Sequence, residues 1–175
     1  MARLPYADLS NPACSQLVKQ IIAERGSVLH LYQMLLHSPP IARGWLTHLT
    51  AIRQQSSLPG SIRELIIMRI AHLNRAPYEA HQHAPIALAE GLSQQQLDAL
   101  ENWNDTDLFD EHQRAVLTYT DSMTLNVQVS DDVFNAITTL FTPAEVVELT
   151  ATIATYNMVS RFLEALQIHS DDPRV

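Results

Sequence analysis

The amino-acid sequence predicts an all-α fold, a single-domain multi-helix bundle over residues 1–175. Apolar residues recur every three or four positions in most segments, which is the spacing of an amphipathic helix. Prolines and helix-capping residues divide the chain into segments of helical length. No segment alternates apolar and polar residues long enough for a β-strand, and the best candidate, residues 127–129, is too short. Apolar residues make up 46% of the chain and charged residues 17%, which favours a packed core over disorder.

The first predicted helix belongs to an N-terminal helical extension, residues 1–26. Asn11 is a suitable N-cap, and Pro12 occupies the first helical position, where an N–H has no intrahelical acceptor anyway. Gly26 ends the helix, because glycine readily adopts the backbone conformation that follows one. A single apolar stripe is expected along it, formed by Leu17, Val18, Ile21 and Ile22.

Two more helices are predicted before a turn-rich loop at residues 55–60. The first begins at Ser27 and is expected to end at Pro39 and Pro40, because proline disfavours a helical residue before it. The second is expected over residues 41–54. The loop separates these helices from the part of the chain that contains the chemically informative residues.

The fourth helix is predicted over residues 61–73, with Ser61 and Glu64 as a capping box. The fifth is predicted over residues 77–90 and ends at Gly91. Because only a short turn joins them, we expect these two helices to pack antiparallel.

Capping residues predict four further helices in the C-terminal half. Ser93 and Gln96 match a capping box, and so do Thr142 and Glu145. The predicted helix starts are Ser93, Glu111, Ser130 and Thr142, and the last helix continues to about Leu166.

The charge distribution excludes several classes of partner. The formal net charge is −8, from 19 acidic and 11 basic residues, and the basic residues are not clustered. A nucleic-acid partner is therefore not expected, because phosphate neutralisation requires clustered cations. No stretch approaches about 18 consecutive apolar residues, so no membrane span is expected. The first residues lack the apolar core of a secretory signal, which favours a cytoplasmic location.

Cys14 is the only cysteine. This excludes an intramolecular disulfide and a zinc site built from several thiolates. We expect Cys14 to be a small apolar residue near the first helix, with a lone redox-active thiol as the alternative.

The residues that can carry acid–base chemistry are concentrated in the fourth and fifth helices. Glu79 and His83 are four residues apart, which places both on one face of the fifth helix. Ala76 lies one turn earlier on that face and leaves room beside them. Glu64 lies on the preceding helix, across the short turn. A histidine flanked by carboxylates can transfer protons near neutral pH, so Glu64, Glu79 and His83 are the predicted catalytic group.

This pattern resembles the core of the carboxymuconolactone decarboxylase-like family, also called alkyl hydroperoxidase D-like. The family's redox branch carries a Glu, eleven intervening residues and then Cys-x-x-Cys-x-x-x-His. On this sequence the motif's Glu and His fall on Glu64 and His83, and its cysteines fall on Ala76 and Glu79. The family-like core covers about residues 40–166. The resemblance implies a helical bundle of the alkyl hydroperoxidase D-like type.

The missing cysteines decide which branch this chain looks like. The redox branch is similar to a disulfide reductase or peroxidase, whose chemistry needs a thiolate and a resolving partner. Ala76 and Glu79 provide neither, and Cys14 is remote in sequence. A peroxidase-type antioxidant role is therefore disfavoured. The chain looks like the non-redox branch, which implies a lyase, a cofactor-free decarboxylase of a carboxylated lactone or other small organic acid.

Such a decarboxylase needs a cation for the substrate carboxylate and a general acid for the developing carbanion or dienolate. His83 or Glu79 would donate the proton, and Glu64 would orient His83. Arg161 on the last helix is the first candidate for the cation, and Arg69 is the second. The pocket wall is expected to include Tyr78 and Tyr156.

Each candidate also has a purely structural interpretation. Glu64 can serve only as a helix cap, and Glu79 with His83 can be an ordinary ion pair on a helix surface. Arg161 can form a buried ion pair with a glutamate, either Glu148 or Glu164.

His81 and His83 together invite a metal-site interpretation. Residues two apart on a helix point to different sides, so these histidines cannot bind one ion. Glu79 and His83 could share an ion, but zinc would need further ligands, such as His72 or a residue of another chain. No metal is predicted, and no cofactor is predicted.

The chain is expected to assemble with copies of itself. The resemblance implies a homo-oligomer, a trimer or hexamer, because the family packs helices across chains. The low charged fraction agrees, since exposed apolar surface must then be covered. A non-catalytic oligomer that binds a small molecule on the same scaffold is the remaining alternative.

Overall fold

The structure, a computed structural model, describes residues 1–172. Within these residues the chain forms α-helices with short 3₁₀ and π segments and no β-strand, which confirms the all-α prediction. No helix in this range is both long and apolar enough to cross a membrane. The helices are α1 (Ser15–Arg25), α2 (His30–Leu35), α3 (Pro39–Thr50), α4 (Gly60–Leu73), α5 (Pro77–Ala89), α6 (Gln94–Ala99), α7 (Glu111–Asn126), α8 (Asp131–Leu140) and α9 (Pro143–Leu166).

The chain divides into two compact units. One consists of Met1–Gln55 together with residues 163–172. The other is Ser56–Phe162 and contains all three residues of the predicted catalytic group. That the whole chain is one domain, with an N-terminal extension and a core at about 40–166, stays a prediction.

The start of α1 follows the capping pattern of the sequence. The Asn11 side chain accepts a hydrogen bond from the Ala13 N–H at 3.0 Å, where a short 3₁₀ turn leads into the helix. Gly26 follows the helix with a φ of 79°, in the left-handed region that glycine tolerates. The predicted cap and the predicted stop are both confirmed.

Pro39 and Pro40 start a helix instead of ending one. α2 ends at Leu35, and α3 begins at Pro39. The two rings fill the first two helical positions, whose N–H groups have no intrahelical acceptor, so no hydrogen bond is lost. The prediction that this pair ends the second helix, with the third starting near Ile41, is therefore wrong.

The second unit is built around α4, which packs against α5 and α7. α4 is buried on nearly all sides, as expected of a helix that other helices surround. Between these helices and the 3₁₀ segment Leu100–Asp105 lies a buried cluster of Leu65, Met68, Ala87, Leu92, Leu100, Trp103, Phe109 and Leu117. This packing fixes α4 against α5 and therefore fixes the relative positions of Glu64 and His83.

Two of the predicted capping boxes are present. At α6, the Ser93 hydroxyl accepts from the Gln96 N–H, and the Gln96 side chain accepts from the Ser93 N–H. At α9, the Glu145 carboxylate accepts from the Thr142 N–H at 2.8 Å, and the Thr142 hydroxyl accepts from the Glu145 N–H.

The capping box predicted for α4 is not formed. The helix begins at Gly60, with Pro59 in the cap position and no side-chain cap. Ser61 therefore lies inside the first turn, and Glu64 points into the protein instead of back to the helix start. The interpretation of Glu64 as only a helix cap is therefore wrong.

Candidate functional site

The centre of the site is a direct hydrogen bond between α4 and α5. Glu64 Oε2 lies 2.7 Å from His83 Nδ1, and the Glu64 side chain is fully buried. His83 is 7% exposed, so the pair is almost completely removed from water. With Nδ1–H donated to a carboxylate, an imidazole exchanges protons with a substrate through Nε2. Glu64 and His83, which are predicted from the sequence to act as a pair, are therefore in direct contact.

The second oxygen of the Glu64 carboxylate is bound by its neighbour in sequence. Arg63 Nε donates to Glu64 Oε1 at 3.1 Å, and Arg63 Nη2 donates to Glu90 Oε1 at 3.3 Å. Glu64 therefore accepts from a histidine on one oxygen and from an arginine on the other. Neither Arg63 nor Glu90 is among the site residues that the sequence predicts.

These contacts set the charge state of Glu64. Burial by itself raises the pKa of the Glu64 carboxyl, because it disfavours the charged form. The hydrogen bond and charge of His83, followed by the charge and hydrogen bond of Arg63, outweigh burial and hold the pKa of Glu64 below its ordinary value. Glu64 is therefore a buried carboxylate that stays ionised between His83 and Arg63.

Glu79 and Ala76 line the same face of α5 as His83. Glu79 lies one turn before His83 and is 2% exposed. Ala76 is buried at the start of the helix and also borders an open groove of about 440 Å³ at the α4–α5 turn. In place of two thiols, the motif positions therefore present a methyl group and a buried carboxyl group.

The two predicted pocket tyrosines are both buried, and one contacts the histidine. The Tyr156 ring on α9 meets the His83 imidazole edge to face, with centroids 5.2 Å apart and planes at 88°. This arrangement holds the imidazole in one orientation. Tyr78 is buried next to Glu79 in the sequence, on the first turn of α5.

Arg69 is committed to a structural network. Its guanidinium binds Asp121 through two hydrogen bonds, of 2.6 and 2.8 Å, and donates to the Leu100 carbonyl at 2.5 Å. The Trp103 indole donates to the same aspartate at 3.1 Å. A guanidinium held in this way joins α4 to α7 and is a poor candidate for binding a substrate carboxylate. The partner could not be predicted, because Asp121 lies 52 residues away in the sequence.

Arg161 differs from Arg69, because its side chain is exposed on α9. Its Nη1 donates to the Asn157 carbonyl at 2.9 Å and to the Asn157 side-chain oxygen at 2.7 Å. Glu148, one of its two predicted ion-pair partners, instead accepts hydrogen bonds from Ser57. The role of Arg161 as the substrate cation stays a prediction.

No group of three or more His, Cys, Asp or Glu residues within residues 1–172 is arranged to hold a metal ion. His81 is exposed whereas His83 is buried, so the two histidines do face different sides of α5. Cys14 is buried in the first unit, with its Sγ 3.8 Å from the Leu36 carbonyl.

The buried carboxylate–histidine pair lies between two adjacent helices of the core, α4 and α5. Residues 39–122 match the carboxymuconolactone decarboxylase family. This segment contains Glu64, Glu79 and His83, so the resemblance predicted from their spacing is confirmed there. The chain is also similar to the uncharacterized protein YdfG of Bacillus subtilis, with 25% identity over 115 residues, 65% of this chain and 78% of that protein.

Solved structures show the same fold. An alkylhydroperoxidase AhpD core, an uncharacterized peroxidase-related protein from Ralstonia eutropha, superimposes with a TM-score of 0.82 at 20% identity, covering 98% of this chain and 93% of that one. The debrominase Bmp8 in complex with 2,3,4-tribromopyrrole superimposes with a TM-score of 0.81 at 15% identity, covering 98% and 95%. The AhpD-like fold predicted from the sequence is confirmed.

Proposed function

We propose that this protein is a cofactor-independent acid–base enzyme that decarboxylates a small organic acid or carboxylated lactone. The observation that carries the proposal is the buried Glu64–His83 hydrogen bond of 2.7 Å in a motif whose two thiol positions are Ala76 and Glu79. The site retains a proton-transfer pair and lacks the groups that thiol chemistry needs.

The proposed reaction needs one proton and no electron acceptor. The bond between the substrate carbon and its carboxylate breaks, carbon dioxide leaves, and the electron pair remains on the substrate as a dienolate or carbanion. The imidazolium of His83 then donates its Nε2 proton to that carbon. Glu64 stays ionised throughout and stabilises the imidazolium, and a proton from solvent restores His83. General acid catalysis of this kind contributes about 10²–10⁴-fold.

The remaining groups have supporting roles in this proposal. Glu79, buried one turn before His83, is the second candidate for proton donor. Tyr156 holds the imidazole, and Tyr78 is proposed as part of the pocket wall. Arg161 is the proposed carboxylate-binding cation, since its guanidinium is exposed whereas that of Arg69 is already bound by Asp121.

The most direct test of this function is a substrate survey. Carboxylated lactones and β-keto acids are incubated with the protein, and carbon dioxide release is followed. Turnover of at least one acid supports the proposal, and no turnover of any acid in the survey counts against it. Halogenated pyrroles belong in the survey as a comparison class, because a debrominase shares the fold.

Assembly into a homo-oligomer, a trimer or hexamer, and a cytoplasmic location are part of the same proposal. Exposed apolar side chains on the second unit support an interface between copies. Phe134 is 43% exposed and Val147 is 67% exposed, and both border an apolar groove of about 280 Å³ between α8 and α9. Burying such side chains against another chain is favourable.

A further inference from the structure

The Arg63 guanidinium lies between two carboxylates of different character. On one side is Glu64, which is fully buried, and on the other is Glu90, whose side chain is 41% exposed. Arg63 itself is 12% exposed, so most of its side chain is held against the protein. The hydrogen bonds form one chain, from Glu90 through Arg63 and Glu64 to His83.

Glu90 follows the last residue of α5, and its side-chain carboxylate lies at the beginning of α4. Its carboxylate lies so close to Gly60, the first residue of that helix, that a Cβ at this position would overlap it. A carboxylate there is favourable, because the first turn of a helix presents unpaired N–H groups and a partial positive charge. The absence of a side chain at Gly60 therefore allows Glu90 to reach both the helix start and Arg63.

We propose that Arg63, held by Glu90, is a positioning residue that fixes the orientation of the Glu64 carboxylate and the charge balance of the Glu64–His83 pair. The inference rests on the proposed function in one respect, that His83 is the proton donor. It goes beyond that function because it assigns control of the donor to Arg63 and Glu90, which are linked to His83 through Glu64.

The charges around the pair determine the direction of each effect. His83 faces Glu64 from α4 and Tyr156 from α9, and Glu79 shares its own helix face. The positive charge of Arg63 offsets part of the negative charge of Glu64 and so disfavours a second positive charge on His83. The negative charge of Glu90 offsets that of Arg63 in turn. Removing Arg63 therefore favours protonation of His83, whereas removing the Glu90 charge opposes it.

The test is an NMR titration of the His83 ring in protein with labelled histidine, with the signal assigned by its loss in His83→Ala. Arg63→Met should move the titration midpoint of His83 to higher pH, and Glu90→Gln should move it to lower pH. Arg43→Met and Glu101→Gln are matched exposed controls and should leave the midpoint unchanged. A change in packing alone gives no reason for the two site variants to shift in opposite directions.

Gly60→Ala provides an independent third variant. Gly60 does not need a positive φ, and the added methyl group meets only the end of the flexible Glu90 side chain. Alanine also forms helix better than glycine, so the fold should be retained. The variant should displace the Glu90 carboxylate and lower the His83 midpoint as Glu90→Gln does. The double variant Gly60→Ala with Glu90→Gln should shift it no further than Glu90→Gln alone.

Opposite shifts for Arg63→Met and Glu90→Gln support the inference, and equal-sign shifts or no shift overturn it. Should Arg63→Met fail to fold, the other two variants decide: a lower midpoint in both Glu90→Gln and Gly60→Ala supports the inference, and no shift or a higher midpoint in either overturns it. The titration uses no substrate, so failure of the decarboxylation survey leaves its result interpretable. With a substrate in hand, the acid limb of kcat/KM should move with the titration midpoint in each variant.

Discussion

Glu64 Oε2 and His83 Nδ1 lie 2.7 Å apart in a site where the carboxylate is fully buried and the imidazole nearly so. A charged carboxylate at such a position requires partners, since burial without them is strongly unfavourable. His83 on one oxygen and Arg63 on the other are those partners. The arrangement therefore couples the stability of the α4–α5 pair to the charge of the residue proposed to orient the proton donor.

The first prediction concerns the pH dependence of stability. Because the pKa of Glu64 is lowered in the folded protein, its ionised form stabilises the fold above about pH 4.5, the ordinary value for a glutamate, and this contribution is lost as the pH falls further. Glu64→Gln should lower the free energy of unfolding at neutral pH by about 1–3 kcal/mol. Urea unfolding at about pH 6 and about pH 3.5 should show the difference from wild type shrinking at the lower pH. A difference that grows on acidification contradicts this assignment.

Val127 offers a prediction about stability alone. It follows α7 with a φ of 65° and is 81% exposed, so a β-branched residue is held in a backbone conformation that it disfavours, with little burial in return. Val127→Gly should raise the free energy of unfolding by about 0.5–1 kcal/mol, as the relief of strain exceeds the entropy that glycine adds to the unfolded chain. Urea unfolding is the measurement. Val129→Gly, in the same connection without a positive φ, should destabilise instead, and equal effects at both positions would argue against strain.

Assembly is tested by light scattering coupled to size exclusion. We expect a mass of three or six times the 19.7 kDa chain at micromolar concentration. If the exposed apolar surface at α8 and α9 lies in the interface, Val147→Asp should reduce that mass, because it introduces a charge where an apolar contact is formed. Lys19→Asp, on an exposed position of α1, is the control for a surface charge change. A wild-type protein that elutes as a monomer contradicts the proposed assembly.

The antioxidant alternative depends on Cys14. Because this thiol is buried and has no second cysteine to resolve an oxidised form, we expect no peroxide consumption with a dithiol reductant. Peroxide loss is measured for wild type and for Cys14→Ser. Activity that is present in wild type and lost in Cys14→Ser would support the antioxidant function over the decarboxylase proposal.

Much of this architecture could be predicted from local sequence signals. The cap at Asn11, the stop at Gly26 and the boxes at Ser93 and Thr142 each depend on residues within one turn of helix. The prediction at Pro39 is wrong because proline is compatible both with the end of one helix and with the first turn of the next. A local pattern alone does not distinguish these two cases.

In the candidate site, local sequence signals are not sufficient to predict which side chains contact each other. The spacing of Glu64 and His83 placed them on facing helices, and the hydrogen bond between them follows from the packing of α4 on α5. Local spacing does not predict the contact of Arg63 with Glu64, because residues adjacent in a helix do not normally face each other, yet the long Arg63 side chain reaches around to Glu64. The commitment of Arg69 to Asp121 depends on the position of α7, which no local signal reports.

The central claim is that His83 carries the proton, and a comparison of two histidine variants tests it most directly. His83→Ala and His81→Ala are compared with wild type for carbon dioxide release from an acid that the wild-type protein decarboxylates, with circular dichroism and urea unfolding as checks on the fold. His83→Ala should stay folded and lose about 10²–10⁴-fold in turnover, because water replaces a positioned imidazole poorly. His81→Ala should retain turnover close to wild type, since that side chain is exposed on another side of α5. Glu64→Gln should show an intermediate loss. Equal losses for the two histidine variants, or a folded His83→Ala protein with wild-type turnover, would contradict the assignment of His83 as the proton donor.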